Sequence, residues 1–306
     1  MREAILLHCI ESLERNGFSV SSFFFQNSCF DLAAKRNHDH LLVKVLGNID
    51  SLRVEQAEEL KKIASALDAI PLIVGEKSKS FGLEDDVWYE RYDIPVVSDK
   101  TFSKAIQSSV PLVKCFKGKK VASLDAQKLH DRRLELQLSV GDLAQRVGMR
   151  SETLYRYEKG FSPSMEAAQK LEKELHCSLV RQSSLFGEFQ PKKSDWSARK
   201  IDGKTWQKMQ RLGIHVALFD HAPFRAYANP GEGILIDQSE NDPKELERKA
   251  IALEKSSSIF ETHSMLLAKE SKKEIVEHTP IIQERELLGM KKPRQLLKLL
   301  KEREQS

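Results

Sequence analysis

Leu138-Ser139-Val140-Gly141-Asp142-Leu143-Ala144-Gln145-Arg146-Val147-Gly148-Met149-Arg150-Ser151-Glu152-Thr153-Leu154-Tyr155-Arg156-Tyr157-Glu158-Lys159-Gly160 is the most informative stretch of the 306-residue sequence. Leu143, Ala144 and Val147 recur at helical spacing and make one inner face, and Leu154 supplies the inner face of a second helix. Gly148 provides the tight turn between them. A small residue at Ala144 lets the two helices approach closely, as a short helix-turn-helix requires. Outward from this stretch, Ser123 to Leu175 is an almost continuous helical pattern, broken by Gly148 and by Gly160-Phe161-Ser162-Pro163. It predicts a compact all-α unit, followed by a polar linker at Gln190-Pro191-Lys192-Lys193-Ser194-Asp195.

The flanks have a different texture. Apolar residues from Arg2 to Asn16 fall at helical spacing and Gly17 stops the run. Strand-like segments follow at 18–20, 29–34 and 40–45, then a long helical pattern from Val54 to Leu67, strands at 71–74 and 94–97, and a short helix at 102–106. Alternating strands and helices predict a small α/β domain. The third section echoes the first in order and spacing. Gly17-Phe18-Ser19-Val20 returns as Gly213-Ile214-His215-Val216, and Phe30-Asp31-Leu32-Ala33 as Phe224-Arg225-Ala226-Tyr227. His40–Val45 returns as 233–236, the long helix as 243–255, and Ile94-Pro95-Val96-Val97 as Thr279-Pro280-Ile281-Ile282 before a last helix at 293–301. The expected domains are therefore 1–110, α/β; 117–182, helical; and 196–306, α/β and an internal repeat of the first.

Composition narrows the function classes. Hydrophobic residues make up 40% and charged residues 31%, which suits folded cores rather than disorder. No run approaches the roughly 20 apolar residues that span a bilayer. The four cysteines are scattered without a Cys-x-x-Cys pair, so neither a zinc ribbon nor a disulfide scaffold is indicated, and a reduced cytoplasmic location is expected. The net charge of +4 says little by itself, but its position does. Over 116–160 there are ten Lys/Arg against six Asp/Glu, and over 192–211 seven against two. Gly75-Glu76-Lys77-Ser78 lacks the upstream glycine of a P-loop, no Gly-x-Ser-x-Gly elbow is present, and His38-Asp39-His40 reads as a polar turn.

The central stretch resembles the Cro/C1-type helix-turn-helix family, whose pattern includes an L-A-x-x-x-G turn and a following T-(I/L)-x-x-(Y/W)-E-x-G. The resemblance runs from Ser123 to Leu179, with Pro163-Ser164-Met165 opening the next helix. In that family the second motif helix lies in the major groove with its N-terminal residues at base edges. Carried over, this makes Ser151, Glu152 and Arg156 base-reading candidates, with Arg150 and Thr153 nearer the backbone and Tyr155 on the same DNA-facing set. Arg156 suits bidentate contact to guanine, and Glu152 suits acceptance from cytosine. Lys159, Arg146 and the Lys117–Lys120 cluster, including Lys119 and Lys120, are candidate phosphate contacts. Tyr157 matches the family's position packed on the first helix. One departure stands out: the family often begins its first motif helix with Gln or Ser on a phosphate, where this chain has Val140-Gly141 and then Asp142. Backbone anchoring there is weaker, or comes from the flanking basic segments.

In the first domain, Asp31 and Lys44 on neighbouring strands, with Gly-Phe-x-Val and Phe-Asp-Leu-x-Ala upstream, resemble the PD-(D/E)xK nuclease fold and archaeal Holliday-junction resolvases. That chemistry needs two carboxylates converging on Mg²⁺ and a lysine near the attacking water. Asp31 and Lys44 are present, but Leu42 stands where the family has glutamate, and leucine cannot coordinate magnesium. The second copy has Arg225 in place of Asp31, with Ile236 or Asp237 opposite Lys44. The resemblance therefore implies two degenerate restriction-endonuclease-like domains, with Asp31 and Lys44 vestigial and no metal or cofactor.

The expected fold class is α/β plus all-α: two restriction-endonuclease-like domains flanking a Cro/C1-type helix-turn-helix bundle. That arrangement is similar to an archaeal family of helix-turn-helix transcriptional regulators. It implies a non-enzymatic, sequence-specific regulator of double-stranded DNA, working as a homodimer on a palindrome because one motif reads only a half-site. The sequence names no effector. The rival readings are a DNA nuclease of repair or restriction type targeted by its helix-turn-helix, and an interaction scaffold.

Overall fold

The computed structural model of the chain describes residues 2–23, 27–107, 113–116, 119–181, 201–239 and 242–305. The linker at 190–195 and Lys117 lie outside the described residues. The N-terminal section forms α1 (Arg2–Arg15), β1 (Ser19–Ser22), β2 (Leu32–Arg36), β3 (Asp39–Asn48), α2 (Val54–Ala66), β4 (Ile70–Lys77), β5 (Val87–Arg91), β6 (Ile94–Ser98), α3 (Asp99–Gln107), β7 (Val113–Phe116) and β8 (Lys119–Val121). The helical section forms α4 (Ala126–Glu135), α5 (Val140–Val147), α6 (Ser151–Glu158) and α7 (Met165–Leu175). The last section forms α8 (Lys204–Arg211), β9 (His215–Leu218), β10 (Ala226–Asn229), β11 (Ile234–Ser239), α9 (Pro243–Phe260), β12 (His263–Ala268), β13 (Ile275–Val276), β14 (Thr279–Gln283), α10 (Glu284–Gly289) and α11 (Arg294–Glu304). Among the described residues no helix is long and apolar enough to cross a membrane, and all four cysteines are free.

The first sheet has strand order β1-β2-β3-β4-β6-β5-β7-β8 and the second β9-β10-β11-β12-β14-β13, read from its opposite edge. Six strands follow one order in both, and β7 and β8 extend the first. The registers match in detail. Asp31 N donates to Val43 O (2.8 Å) and Phe23 N to Asp31 O (2.9 Å); Arg225 N donates to Ile236 O (2.9 Å) and Phe219 N to Arg225 O (2.9 Å). Phe23 meets Phe30 edge-on at 5.4 Å between ring centres, and Phe219 meets Phe224 edge-on at 5.7 Å.

The chain groups into two compact units: Met1–Cys9, Leu46–Asp50 and Ile73–Phe189 in one, and Ile10–Val45, Ser51–Leu72 and Gln190–Ser306 in the other. Within the second unit, α9 lies against β1 and β2. There Ser21 Oγ donates to Lys255 O (3.4 Å), Lys35 pairs with Glu261, and the His40 ring packs on Phe260. In the same unit α2 reaches the end of β9, with Lys62 Nζ donating to Leu218 O (2.9 Å) and His221 N to Glu59 Oε1 (2.7 Å).

Within the first unit the helical bundle closes on Leu129, Leu143, Ala144, Val147, Leu154, Ala168, Leu171 and Leu175. Each of α4, α5 and α7 starts on an oxygen-bearing cap: Asp125 accepts from Lys128 N, Ser139 from Asp142 N and Ser164 from Ala167 N. The chain leading out of β8 pairs with the bundle, Ala122 N donating to Pro163 O (2.8 Å) and Asp125 N to Leu179 O (2.8 Å). Gly148 ends α5 in the left-handed region, φ +69°, and its N–H returns to Ala144 and Gln145 carbonyls. A Cβ there would meet nothing within 4 Å. Gly148→Ala is thus a pure backbone test, expected to cost about 1–2 kcal/mol and to lower the urea midpoint of the full chain.

Candidate nucleic-acid interface

The α5–α6 pair presents one surface. Leu154 is fully buried beneath α6, and Tyr157 packs on the bundle core from a partly buried position. Ser151, Glu152, Tyr155, Arg156 and Lys159 are exposed, spaced so that 152, 155/156 and 159 share a face; Arg150 just ahead of them is exposed, and Thr153 is half-buried. Arg150 occupies the N-cap of α6 without any side-chain acceptor, so the positive end of that helix faces outward uncapped.

The cations differ in how far they are engaged. Arg146 is exposed but pairs with Glu174 at 3.3 Å, and Lys120 pairs with Glu84 at 2.6 Å. Lys119 lies in β8, its backbone paired with Phe116. Among the described residues Arg150, Arg156 and Lys159 have no acidic partner; Arg156 lies over the Phe161 ring (4.5 Å) and Lys159 over Tyr155 (5.4 Å). Asp142 is exposed and capped within its own helix start. Its carboxylate accepts from Ser139 N (2.9 Å) while Ser139 Oγ accepts from Asp142 N (3.0 Å), a reciprocal cap that holds its carboxyl below the usual carboxylate range.

One polar cluster beneath α6 escaped the sequence reading. Arg133 on α4 is 5% exposed and grips Glu158 at the C-terminal end of α6, Nε to Oε1 at 2.6 Å and Nη2 to Oε2 at 3.1 Å. Its Nη1 donates to Leu138 O (2.8 Å), and His130 Nδ1 lies 3.1 Å from Glu158 Oε2. The spacing of Leu129 and Arg133, four apart on the inner face of α4, is the signal that could have found it.

The nuclease-like residues do meet. Asp31 and Lys44 are buried, 2% and 6% exposed, with Lys44 Nζ 3.2 Å from Asp31 Oδ1. Lys44 Nζ also donates to Ser28 O (2.6 Å), and Asp31 Oδ2 accepts from Val45 N (2.7 Å). Leu42, two residues before Lys44 and on its face of β3, is fully buried. In the second sheet the register sets Arg225 at the place of Asp31 and Asp237, not Ile236, at the place of Lys44. Burial raises the Asp237 carboxyl despite Lys249 at 3.6 Å, while Arg225 is taken up by Asp220 and Phe219 O. Among the described residues no group of three His, Cys, Asp or Glu is arranged to hold a metal ion.

Fold and surface together define a helix-turn-helix protein carrying a nuclease-like domain, and comparison with known proteins agrees. Residues 2–112 match the PD-(D/E)XK superfamily domain and residues 129–181 the helix-turn-helix model. A protein of Methanococcus vannielii is 33% identical over 294 residues, covering 90% of each chain. One of Methanocaldococcus jannaschii is 32% identical over 98% of this chain and 97% of its own, and one of Archaeoglobus fulgidus 28% identical over 99% of both. Each of these carries the name "Putative HTH-type transcriptional regulatory protein". The chain belongs to this archaeal family of helix-turn-helix-type transcriptional regulatory proteins. No solved structure matches it.

Proposed function

We propose that the chain binds specific double-stranded DNA sequences through α6 and thereby regulates transcription. The observation that carries this is the exposed face of α6, where, among the described residues, Arg150, Arg156 and Lys159 stand without acidic partners above a helix start that no side chain caps. Ser151, Glu152 and Arg156 are the base readers, with Arg156 on guanine; Arg150, Thr153, Tyr155 and Lys159 flank them at the backbone. Arg146, Lys119 and Lys120 are secondary phosphate contacts, the ion pairs of Arg146 and Lys120 having to open first. Selecting bound fragments from a genomic library with the full-length protein should enrich one motif. With Arg156→Ala the preference should relax at one base pair by about 1–3 kcal/mol, roughly ten- to a hundredfold. Failure of the unaltered protein to enrich any motif overturns the reading.

The chain acts here without catalysis of its own. Leu42 leaves Asp31 as a single carboxylate, and that carboxylate is occupied by Lys44 and Val45 N. Mg²⁺-dependent cleavage of plasmid or four-way-junction DNA, lost in Asp31→Asn, would overturn this part. The last section is a second, further degenerate copy of the first, supported by the shared strand order and the matched registers of Asp31 and Arg225. Because one helix-turn-helix reads a half-site, two chains bind a palindrome together. Light scattering of the complex on a symmetric site should give two chains per duplex.

A further inference from the structure

Phe161 has no evident structural reason to be aromatic. It is 54% exposed and lies outside the bundle core. Yet the loop that carries it is firmly held: Gly160 N donates to Tyr157 O (3.0 Å), Phe161 N to Arg156 O (3.1 Å), and Pro163 O accepts from Ala122 N (2.8 Å) beside β8. Gly160 takes φ +90°, which turns the chain back over the end of α6 and brings the ring under the Arg156 guanidinium at 4.5 Å. Long arginine side chains lose considerable rotamer freedom when they dock, and a pre-set conformer removes part of that loss. An aromatic face holds a guanidinium through its quadrupole and leaves the in-plane N–H donors free to point elsewhere. Lys159 against Tyr155 repeats the arrangement on the same surface.

We propose that Phe161 is a positioning residue for DNA readout: its ring pre-orients Arg156 so that the guanidinium meets a base edge as a fork. The inference rests on the reading of α6 as the DNA-binding helix. It assigns Phe161 no contact with a base.

The test uses the full-length protein and duplexes differing only at the base pair to which Arg156→Ala is sensitive. Phe161→Ala and Phe161→Leu are expected to reduce discrimination at that base pair about two- to fivefold, the worth of an exposed cation–π contact. Phe161→Trp is expected to keep it, since leucine supplies apolar cover but no π face. The double variant with Arg156→Ala should lose no more discrimination than Arg156→Ala alone. Melting temperature and affinity for unrelated DNA should hold in all three Phe161 variants. Unchanged discrimination in Phe161→Ala overturns the proposal while leaving the α6 reading intact. A loss spread equally over every base pair also overturns it, because the ring then serves the backbone contact. If Arg156→Ala itself changes nothing at any base pair, both the proposal and the assignment of Arg156 as a reader fall.

Discussion

Glu158→Ala is expected to destabilise the helix-turn-helix by about 3–5 kcal/mol, because it strands a buried arginine. Arg133 and Glu158 are each only 6% exposed at the side chain and bond in a two-point fork. Removing the carboxylate leaves the guanidinium with Leu138 O and His130 Nδ1 and no counter-charge among the described residues. Loss of a surface pair would cost well under 1 kcal/mol, so the magnitude separates the two situations. Hydrogen exchange of the α4 and α6 amides in the full chain reads the change locally. The pair Arg133→Met with Glu158→Leu should recover most of the loss, as apolar replacement of a buried ion pair commonly does. Acid acts in the same direction. Burial pushes the Glu158 carboxyl up, but the hydrogen bonds from Arg133 and His130 outweigh it and leave it below its ordinary value. A carboxylate depressed on folding stabilises above its unfolded range, and that contribution disappears as pH falls through the folded value. Protection of α6 should therefore decline on acidification into and below the normal glutamate range, and this decline should be smaller in Glu158→Gln, where in the bundle only the Asp125 and Asp142 caps still titrate below their ordinary values.

The cluster also explains what was legible in the sequence and what was not. The bundle could be read because its determinants are local: Leu143, Ala144 and Val147 repeat at helical spacing and Gly148 adopts the left-handed turn that glycine favours. The α/β sections could be read in outline because long apolar strands such as β3, β4 and β12 are buried on both faces. Strands β5, β7 and β8 escaped; β8 is the edge strand of its sheet, and Lys119-Lys120 occupy two of its three positions. Edge strands tolerate such residues, so the apolar signal is diluted where pairing is set by neighbours far away in sequence. Helix α8 was missed for a related reason, since Trp206 and Met209 bury one face while Lys204, Lys208 and Arg211 dominate its composition. At the site, the candidates on α6 came from the resemblance to the Cro/C1-type helix-turn-helix family. Their states of engagement came only from tertiary contacts: Arg146 and Lys120 tied to carboxylates, Arg156 laid on Phe161.

The buried Asp31–Lys44 pair gives the other large expected effect. In this chain Lys44 Nζ lies 3.2 Å from Asp31 Oδ1. Asp31→Ala removes the counter-charge of a lysine that is 6% exposed and also the acceptor of Val45 N, 2.7 Å away. The expected cost is about 3–5 kcal/mol from the stranded ammonium, with a further ~1–3 kcal/mol from the unpaired backbone N–H. Asp31→Asn with Lys44→Met separates these contributions. The amide oxygen still accepts from Val45 N, the thioether chain fills the space of the lysine stem, and no charge remains to be compensated. That double variant should stand within about 1–2 kcal/mol of the unaltered protein, whereas Lys44→Met alone leaves the buried carboxylate supported only in part. Denaturant unfolding followed through the first α/β section measures all three. Two further results would show that the pair still serves a ligand rather than the fold: Asp31→Ala as stable as the parent, or Mg²⁺ raising the parent's unfolding midpoint through a site that Asp31→Asn abolishes. A structural pair predicts neither, because Lys44 Nζ, 3.2 Å from Asp31 Oδ1, already supplies the counter-charge of the carboxylate.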